Sequence, residues 1–268
     1  MNHLPHRSPH ALATIAAFLR AHVESAGARG AVVGLSGGID SSLVARIAVD
    51  ALGAERVMGL MLPDRGYSPS LLRETEEYAQ TLGIAHRVVR LEGLTEAARE
   101  LLPEVDDRVA IGNLVARLRM SVLYAVGREQ GRLVAGTGNK SEILLGYYTK
   151  HGDGGVDLLP IGDLFKTEVR ELARELGLPE AIRDRPPSAG FWEGQTDEVE
   201  LGVSYEVADS VLLGLEQLRT AEEIARATGI EPGVVRALEE RVARHRHKRR
   251  GPPIPKLRAR TVGIDWRD

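Results

Sequence analysis

The chain is predicted to be an α/β protein: a doubly wound parallel sheet with helices on both faces, then a helical C-terminal part and a basic C-terminal arm. Three observations carry this. Short continuous apolar runs alternate with helical stretches through the first half, as strands buried on both faces require. The first run opens into Ser36-Gly37-Gly38-Ile39-Asp40-Ser41-Ser42, a glycine-rich turn leading into a helix. From about residue 166 onward the pattern is helical throughout. The length of 268 residues, with 43% hydrophobic and 27% charged residues, is that of an ordinary globular chain and excludes a disordered one. No internal repeat or long linker divides it, so one domain over 1–268 is expected, with the arm at 241–268. Cysteine is absent, which excludes a disulfide scaffold, a Cys-based zinc site, an iron–sulfur cluster and a cysteine nucleophile.

In order, Leu12, Ile15, Leu19 and Val23 recur at helical spacing and predict an amphipathic first helix. The stretch Ala11–Leu19 followed by Ala26-Gly27-Ala28 superficially resembles a signal peptide, but Arg20, His22 and Glu24 interrupt it. No run is expected to reach the roughly 18–20 apolar residues of a membrane span, and a soluble, cytoplasmic protein without membrane contact is expected. Residues 31–35 predict the first buried strand and 41–52 its helix. Residues 57–62 predict a second strand, stopped by Pro63, and 69–82 a polar helix ending at Gly83. Residues 85–91 predict a third strand and 133–136 a fourth. Between them 112–130 predict a long helix with Leu114, Val115, Leu118, Val122 and Val126 on one face. The C-terminal helices are expected at 166–176, 204–217, 220–228 and 232–247.

The loop at residues 36–42 has the makings of a phosphate cradle. Paired glycines let backbone N–H groups approach an anion, three serines add hydroxyls, and the helix that follows aims its positive end at the same place. It is not a Walker loop: Gly138-Asn139-Lys140-Ser141 has Asn139 where glycine is needed and Val134 where the first glycine belongs. No Gly-x-Gly-x-x-Gly occurs either, since the candidates fail at Ser141 and Asp157. The plainer alternative is a βα turn with Asp40 as a helix cap. Asp40 sharpens the case, because a carboxylate about 4 Å from a phosphate charge is repelled by roughly 4 kcal/mol at an effective dielectric near 20. Such a residue is accommodated when a divalent cation lies between, and magnesium takes one or two carboxylates plus phosphate oxygens. A second acidic ligand is then expected from elsewhere.

Ser-Gly-Gly-x-Asp-Ser resembles the pyrophosphate loop of the ATP pyrophosphatases, which split ATP between the α and β phosphates and adenylate a substrate. The later motifs are similar to those of the NAD synthetase family: Gly112–Met120, Gly136-Thr137-Gly138-Asn139-Lys140-Ser141-Glu142, Gly146–Asp153, Asp157–Ile161 with Lys166, Pro187-Ser188-Ala189, Thr196-Asp197-Glu198 and His247-Lys248-Arg249. The resemblance runs in order from about residue 10 to 258. It implies that Gly34, Leu35, Ser36, Gly37, Gly38, Ile39, Asp40 and Ser41 embrace the ATP phosphates. It implies magnesium on Asp40 and Glu142, with Thr137, Lys166 and Ser188 on ATP. Arg117, Lys150, Asp157 and the pair His247/Lys248 would hold the dinucleotide substrate, deamido-NAD. Asp40, Glu142, Lys166 and, for ammonia handling or closure, Asp153 would be catalytic. Ser188 stands where the family often has Thr, and His151 where it often has Tyr; a hydroxyl survives in the first case. The family also implies a homodimer sharing the dinucleotide site across its interface.

Each of these side chains has a plainer role. Glu142 alone would be a first-turn acid favouring its helix N-terminus, Arg117 a surface arginine four residues from Asn113 on one helix face, and Lys150 and Lys166 solvated lysines beside glycine-rich loops. His245 and His247 lack the acids and cysteines of a metal site. Residues 241–260 carry nine Lys or Arg and no acid, so a whole-chain charge of −3 leaves −12 for the rest. That balance favours a clamp on a small polyanion over a general nucleic-acid surface, and Pro252-Pro253-Ile254-Pro255 makes the arm extended and stiff. Glutamine-dependent relatives carry an added glutaminase region with a Cys nucleophile; without one, ammonia is the expected nitrogen donor. The expected reaction is ATP-dependent amidation of deamido-NAD. A tRNA-modifying ATP pyrophosphatase is the alternative enzyme, and a non-catalytic nucleotide-binding module the alternative of another class.

Overall fold

The computed structural model describes residues 4–188, 190, 194–262 and 265. Four parallel strands, β1 (Gly30–Gly34), β2 (Val57–Met61), β3 (Ala85–Val88) and β4 (Arg132–Ala135), form one sheet in the order β3-β2-β1-β4. All four were expected within one or three residues. β3 stops at Val88 rather than at 91, although Val89 N–H donates to Met61 and Leu91 N–H to Pro63, so backbone bonds to the segment after β2 continue to the start of α4. Leu158 adds a lone parallel bridge to Ala135.

The helices follow in chain order. α1 (Ala11–Ser25) precedes β1; α2 (Ile39–Leu52) follows it; α3 (Pro69–Thr81) links β2 to β3; α4 (Glu92–Leu101) and α5 (Arg108–Gln130) link β3 to β4. After β4 come α6 (Lys140–Leu145), α7 (Lys166–Glu175), α8 (Glu180–Arg183), α9 (Asp197–Leu201), α10 (Tyr205–Glu216), α11 (Ala221–Thr228) and α12 (Pro232–Arg244). A 3-10 turn at His245–Lys248 ends the last of these, three residues before the expected boundary. Residues 251–257 are exposed and lie outside helix and strand.

Residue parity divides the core. Ala31, Val33, Val57 and Met61 face a cluster shared with Leu19 of α1, Leu43 and Ile47 of α2, and Val169 and Leu172 of α7. Val32, Met58, Leu60 and Val134 face the other side, with Val122 and Leu123 of α5 packed against them. A third cluster joins Leu145 and Phe165 to α10, α11 and α12. The sheet is thus covered on both faces, as continuous apolar strands demand.

α5 departs from expectation in two ways. It is long and apolar enough to cross a membrane by length and composition, the one such helix among the described residues, and only 17% of its most apolar window is buried. Its fully buried residues are Gly112, Val115, Ala116 and Gly127; of the predicted face, Val115 is buried and Val122 and Val126 pack against the sheet cluster, whereas Leu114 and Leu118 do not. Small residues let the helix lie close on β4 and β1: a Cβ on Gly127 would sit 3.0 Å from the Arg132 carbonyl oxygen. Ile111, Leu114 and Leu118 stay half-buried and belong to none of the three clusters among the described residues.

Connections leave β1 toward β2 and β3 on one side, then return to place β4 on the other. The crevice at the carboxyl ends of β1 and β4 is therefore the topological switch point, where ligands of open α/β sheets gather.

Candidate active site

Two loops meet in that crevice. The first follows β1. Gly37 has φ +78, and a Cβ there would come within 2.5 Å of Leu71 and 2.6 Å of the Thr75 hydroxyl, so only glycine fits. Ser41 Oγ ties the loop together, donating to the Gly38 carbonyl at 3.1 Å and accepting from Ser36 N–H at 3.2 Å. Tyr67 OH donates to the Ser36 carbonyl at 2.8 Å, and Arg185 donates to that of Gly37. The loop's outward carbonyls are thereby occupied, while the first-turn N–H groups of α2 have no intrahelical acceptors. That polarity suits an anion. The cap of α2 is Gly38, without a side-chain bond, so Asp40 is not the helix cap its position suggested.

Asp40 instead reaches across to the β4 side. Its Oδ1 accepts from Asn139 Nδ2 at 2.9 Å and its Oδ2 from Lys166 Nζ at 2.5 Å. Asn139 and Glu142 form a capping box at the start of α6: Glu142 N–H donates to Asn139 Oδ1 at 3.0 Å, and Asn139 N–H to Glu142 Oε2 at 3.2 Å. Glu142 thus fills its plainer role with one oxygen and turns the other, Oε1, to Lys166 Nζ at 3.4 Å. Burial, then the neighbouring Asp40 charge, pushes the Glu142 carboxyl up to about 8. Burial alone would lower the Lys166 ammonium, but Asp40 and Glu142 outweigh it and hold it above its ordinary value.

Lys166 is not a mobile loop lysine. It opens α7, is 1% exposed, and lies 5.3 Å from the centre of the Tyr205 ring. Its N–H donates to Ser141 Oγ at 2.9 Å; that hydroxyl donates to Asp209 Oδ1 at 2.5 Å, and Asp209 Oδ2 accepts from Thr167 N–H at 2.8 Å. Asp209, fully buried on α10, fastens the starts of α6 and α7 together. Behind it, Tyr205 OH donates to buried Asp197 at 3.0 Å. Asn139, Arg185, Asp197, Tyr205 and Asp209 were not singled out from the sequence as site residues. Asn139 and Asp197 stood in quoted motifs, whereas Arg185, Tyr205 and Asp209 stood in none.

The expected dinucleotide contacts divide. Arg117 donates through Nε and a terminal nitrogen to the Lys150 carbonyl, both at 3.3 Å, and Lys150 Nζ donates to the His247 carbonyl at 3.1 Å. Lys248 Nζ donates to the carbonyls of Gly146 at 2.6 Å and Tyr148 at 2.7 Å. These four residues therefore surround one loop, 146–153, with the basic tail folded onto it. Gly146, at φ +65, must be glycine here, because a Cβ would lie 2.3 Å from His245 Cβ. Asp157 stands apart, accepting from Val134 N–H at 2.7 Å and Tyr124 OH at 3.1 Å beside β4. Asp153 is exposed and accepts from Thr149 N–H at 2.8 Å. Thr137 follows β4 half-buried; Ser188 is exposed in the link before α9 and accepts from Gly190 N–H at 3.0 Å. Ala189 lies outside the described residues.

Two carboxylates that converge on one positive group are the hard oxygen donors a magnesium ion prefers, and the residues fit that ion. Among the described residues no cluster of three or more acidic, His or Cys side chains forms a closed metal cage. An ion held here would need phosphate oxygens or water to complete its shell.

The family model described as NAD synthase matches residues 11–252. The NH(3)-dependent NAD(+) synthetase of Methanosarcina acetivorans is 49% identical over 243 residues, 90% of this chain and 95% of that protein. The solved NMN synthetase of Francisella tularensis aligns with a TM-score of 0.83 and 33% identity, over 94% of this chain and all of the other. The NH3-dependent NAD synthetase of Campylobacter jejuni, solved with a nitrate ion, aligns with a TM-score of 0.78 and 29% identity, over 94% of this chain and 100% of its own. The chain belongs to the NAD synthase family.

Proposed function

We propose that the chain joins ammonia to the nicotinate carboxylate of deamido-NAD at the expense of ATP, giving NAD, AMP and pyrophosphate. The observation that carries this is the convergence of Asp40, Glu142 and Lys166 beside a phosphate-accepting loop. A carboxylate is a poor acceptor for ammonia, since its leaving group would be an oxide. Attack of that carboxylate on the α phosphate expels pyrophosphate and leaves an acyl adenylate; ammonia then displaces AMP.

Magnesium, held by Asp40 and Glu142, would screen the repulsion between the triphosphate and the incoming carboxylate. Loop N–H groups from Gly34 to Ser41 orient the phosphates, with Thr137 and Ser188 as further ATP contacts. Lys166, locked by the Ser141–Asp209 chain, offers a fixed positive charge to the anion that develops as the α–β bond breaks. Arg117, Lys150, His247 and Lys248 hold the dinucleotide beside loop 146–153, with Asp157 on its far side. Asp153 handles ammonia or closes that loop over the adenylate. One domain performs this, as a homodimer in the cytoplasm, and the half-buried Ile111, Leu114 and Leu118 of α5 supply the apolar dimer face.

The test is incubation with ATP, magnesium and deamido-NAD, with ammonium or glutamine, following NAD, AMP and pyrophosphate. NAD from ammonium and not from glutamine is expected, and ADP in place of AMP would reject the reading. The likeness to an NMN synthetase structure favours one second reading, amidation of nicotinate mononucleotide. Comparing kcat/KM for the two acids decides between them.

A further inference from the structure

A line of positive charge leads out of the site along α7. Lys166, Arg170 and Arg174 recur every fourth residue and so share one helix face, about 6 Å apart along the axis. Exposure rises outward: Lys166 is buried, Arg170 half-buried and Arg174 exposed. Two further guanidiniums, Arg183 at the end of α8 and Arg185 just beyond, face the same space. With Asp184, Pro186, Pro187 and Glu198 these arginines line a groove of about 450 Å³. Arg185 joins this groove to the phosphate loop, since it also donates to the Gly37 carbonyl.

Asp184 and Glu198 also line the groove, yet only two of its four guanidiniums are ion-paired among the described residues. Arg170 is paired with Glu198 and Glu206, and Arg185 with Glu74. Arg174 and Arg183 have no acidic partner among the described residues, and Arg183 Nε is buried without an acceptor. A guanidinium at a helix C-terminus is favourable by itself, and Arg174 and Arg183 each occupy such a place. That explains neither the convergence of four arginines from three segments nor a buried N–H lacking its acceptor, which is costly to leave unmade. Planar forks with several donors match phosphate oxygens in particular.

We propose that this groove is a second diphosphate site, taking the pyrophosphate that leaves ATP once it clears the phosphate loop. The assignment rests on the AMP-forming reading above, and it gives the leaving group a path of rising exposure away from the adenylate. The probe is inorganic pyrophosphate with magnesium, titrated calorimetrically into the ATP-free full chain. Two pyrophosphates per chain are expected for the unaltered protein and one for the double variant Arg174→Ala/Arg183→Ala, while Arg174→Lys/Arg183→Lys, which keeps the charge without the fork, binds the second pyrophosphate about tenfold more weakly. Steady-state inhibition by pyrophosphate should be parabolic in the first protein and linear in the alanine variant, whose KM for ATP stays within about twofold. A single pyrophosphate on the unaltered protein, or unchanged stoichiometry in the alanine variant, overturns the proposal. A KM for ATP raised tenfold would assign the groove to the ATP tail instead and also overturn it. Failure of the AMP-forming reading is seen separately, as absence of AMP from the unaltered protein, because pyrophosphate binding is read without ATP.

Discussion

Asp40 and Glu142 both combine a structural contact with the role proposed for them in the reaction. Each gives one oxygen to a fixed local partner, Asn139 in both cases, and keeps the other on the side of Lys166. Asp40→Asn and Glu142→Gln preserve shape while removing the charge a magnesium ion and Lys166 require. AMP formation should fall at least about 100-fold in each, the scale of losing one preorganised electrostatic group, with circular dichroism unchanged; full activity in both would refute the site. Asp153 allows a cleaner separation of charge from structure. An amide oxygen can still accept from Thr149 N–H, so Asp153→Asn keeps the loop turn. Reduced turnover in ammonium-dependent NAD formation is expected, and unchanged turnover removes Asp153 from the mechanism. At this scale the sequence was legible where a motif carries its own physics: an acid inside a glycine-rich loop needs a positive partner, and Asp40 meets Lys166 beside Glu142. It was not legible for Asp209 or Arg185, whose partners lie 42 or more residues away in the chain. No local spacing encodes such contacts.

Among the elements, α6 and α7 place Glu142 and Lys166, and both are short. α6 has six residues and α7 ten, so neither is stable by propensity alone. Asp209 supplies what they lack, accepting from a hydroxyl of one and a backbone N–H of the other. Asp209→Ala leaves two buried donors unmade, at about 1–3 kcal/mol each, and should lower the melting temperature. Asp209→Asn opposes one donor with its own amide N–H and keeps the other bond. Because Asp209 acts only through the position of Lys166, kcat should fall about tenfold while KM for ATP changes by less than twofold. A parallel change in both would mean a merely structural role. Long periodic elements were readable in advance: α2, α3 and α10 to α12 follow their expected limits within about four residues. α4, α6, α8 and α9 were not; α6, α8 and α9, at four to six residues, show less than two turns of pattern, whereas α7 and α11, of ten and eight residues, were still readable. The start of α7 at Lys166 was expected, and Phe165 N–H donating to Glu168 caps it locally; what the sequence could not show is that the Lys166 side chain is buried between Asp40 and Glu142 rather than solvated.

Across the whole molecule, α5 is the element whose surface is least accounted for. Gly127 faces the sheet, while Ile111, Leu114 and Leu118 form an apolar stripe at spacings of three and four that meets none of the three core clusters among the described residues. Sequence periodicity identified Leu114 and Leu118 as apolar and aligned, with Ile111 just outside the helix expected at 112–130, but it cannot say whether an aligned face meets the chain's own core or another copy. The same helix carries Arg117, which holds the Lys150 carbonyl of the dinucleotide loop, so pairing along α5 would bring two such loops near one interface. Leu118→Glu puts a charge on the stripe without entering a core cluster. An unaltered protein that is dimeric by light scattering should become monomeric with this change and lose most of its deamido-NAD amidation. ATP binding at the phosphate loop, which lies on β1 and α2, should persist within about threefold. A Leu118→Met variant, apolar and of similar volume, should remain dimeric and active. If Leu118→Glu stays dimeric, or is monomeric with full activity, the α5 face is not the shared boundary of the dinucleotide site.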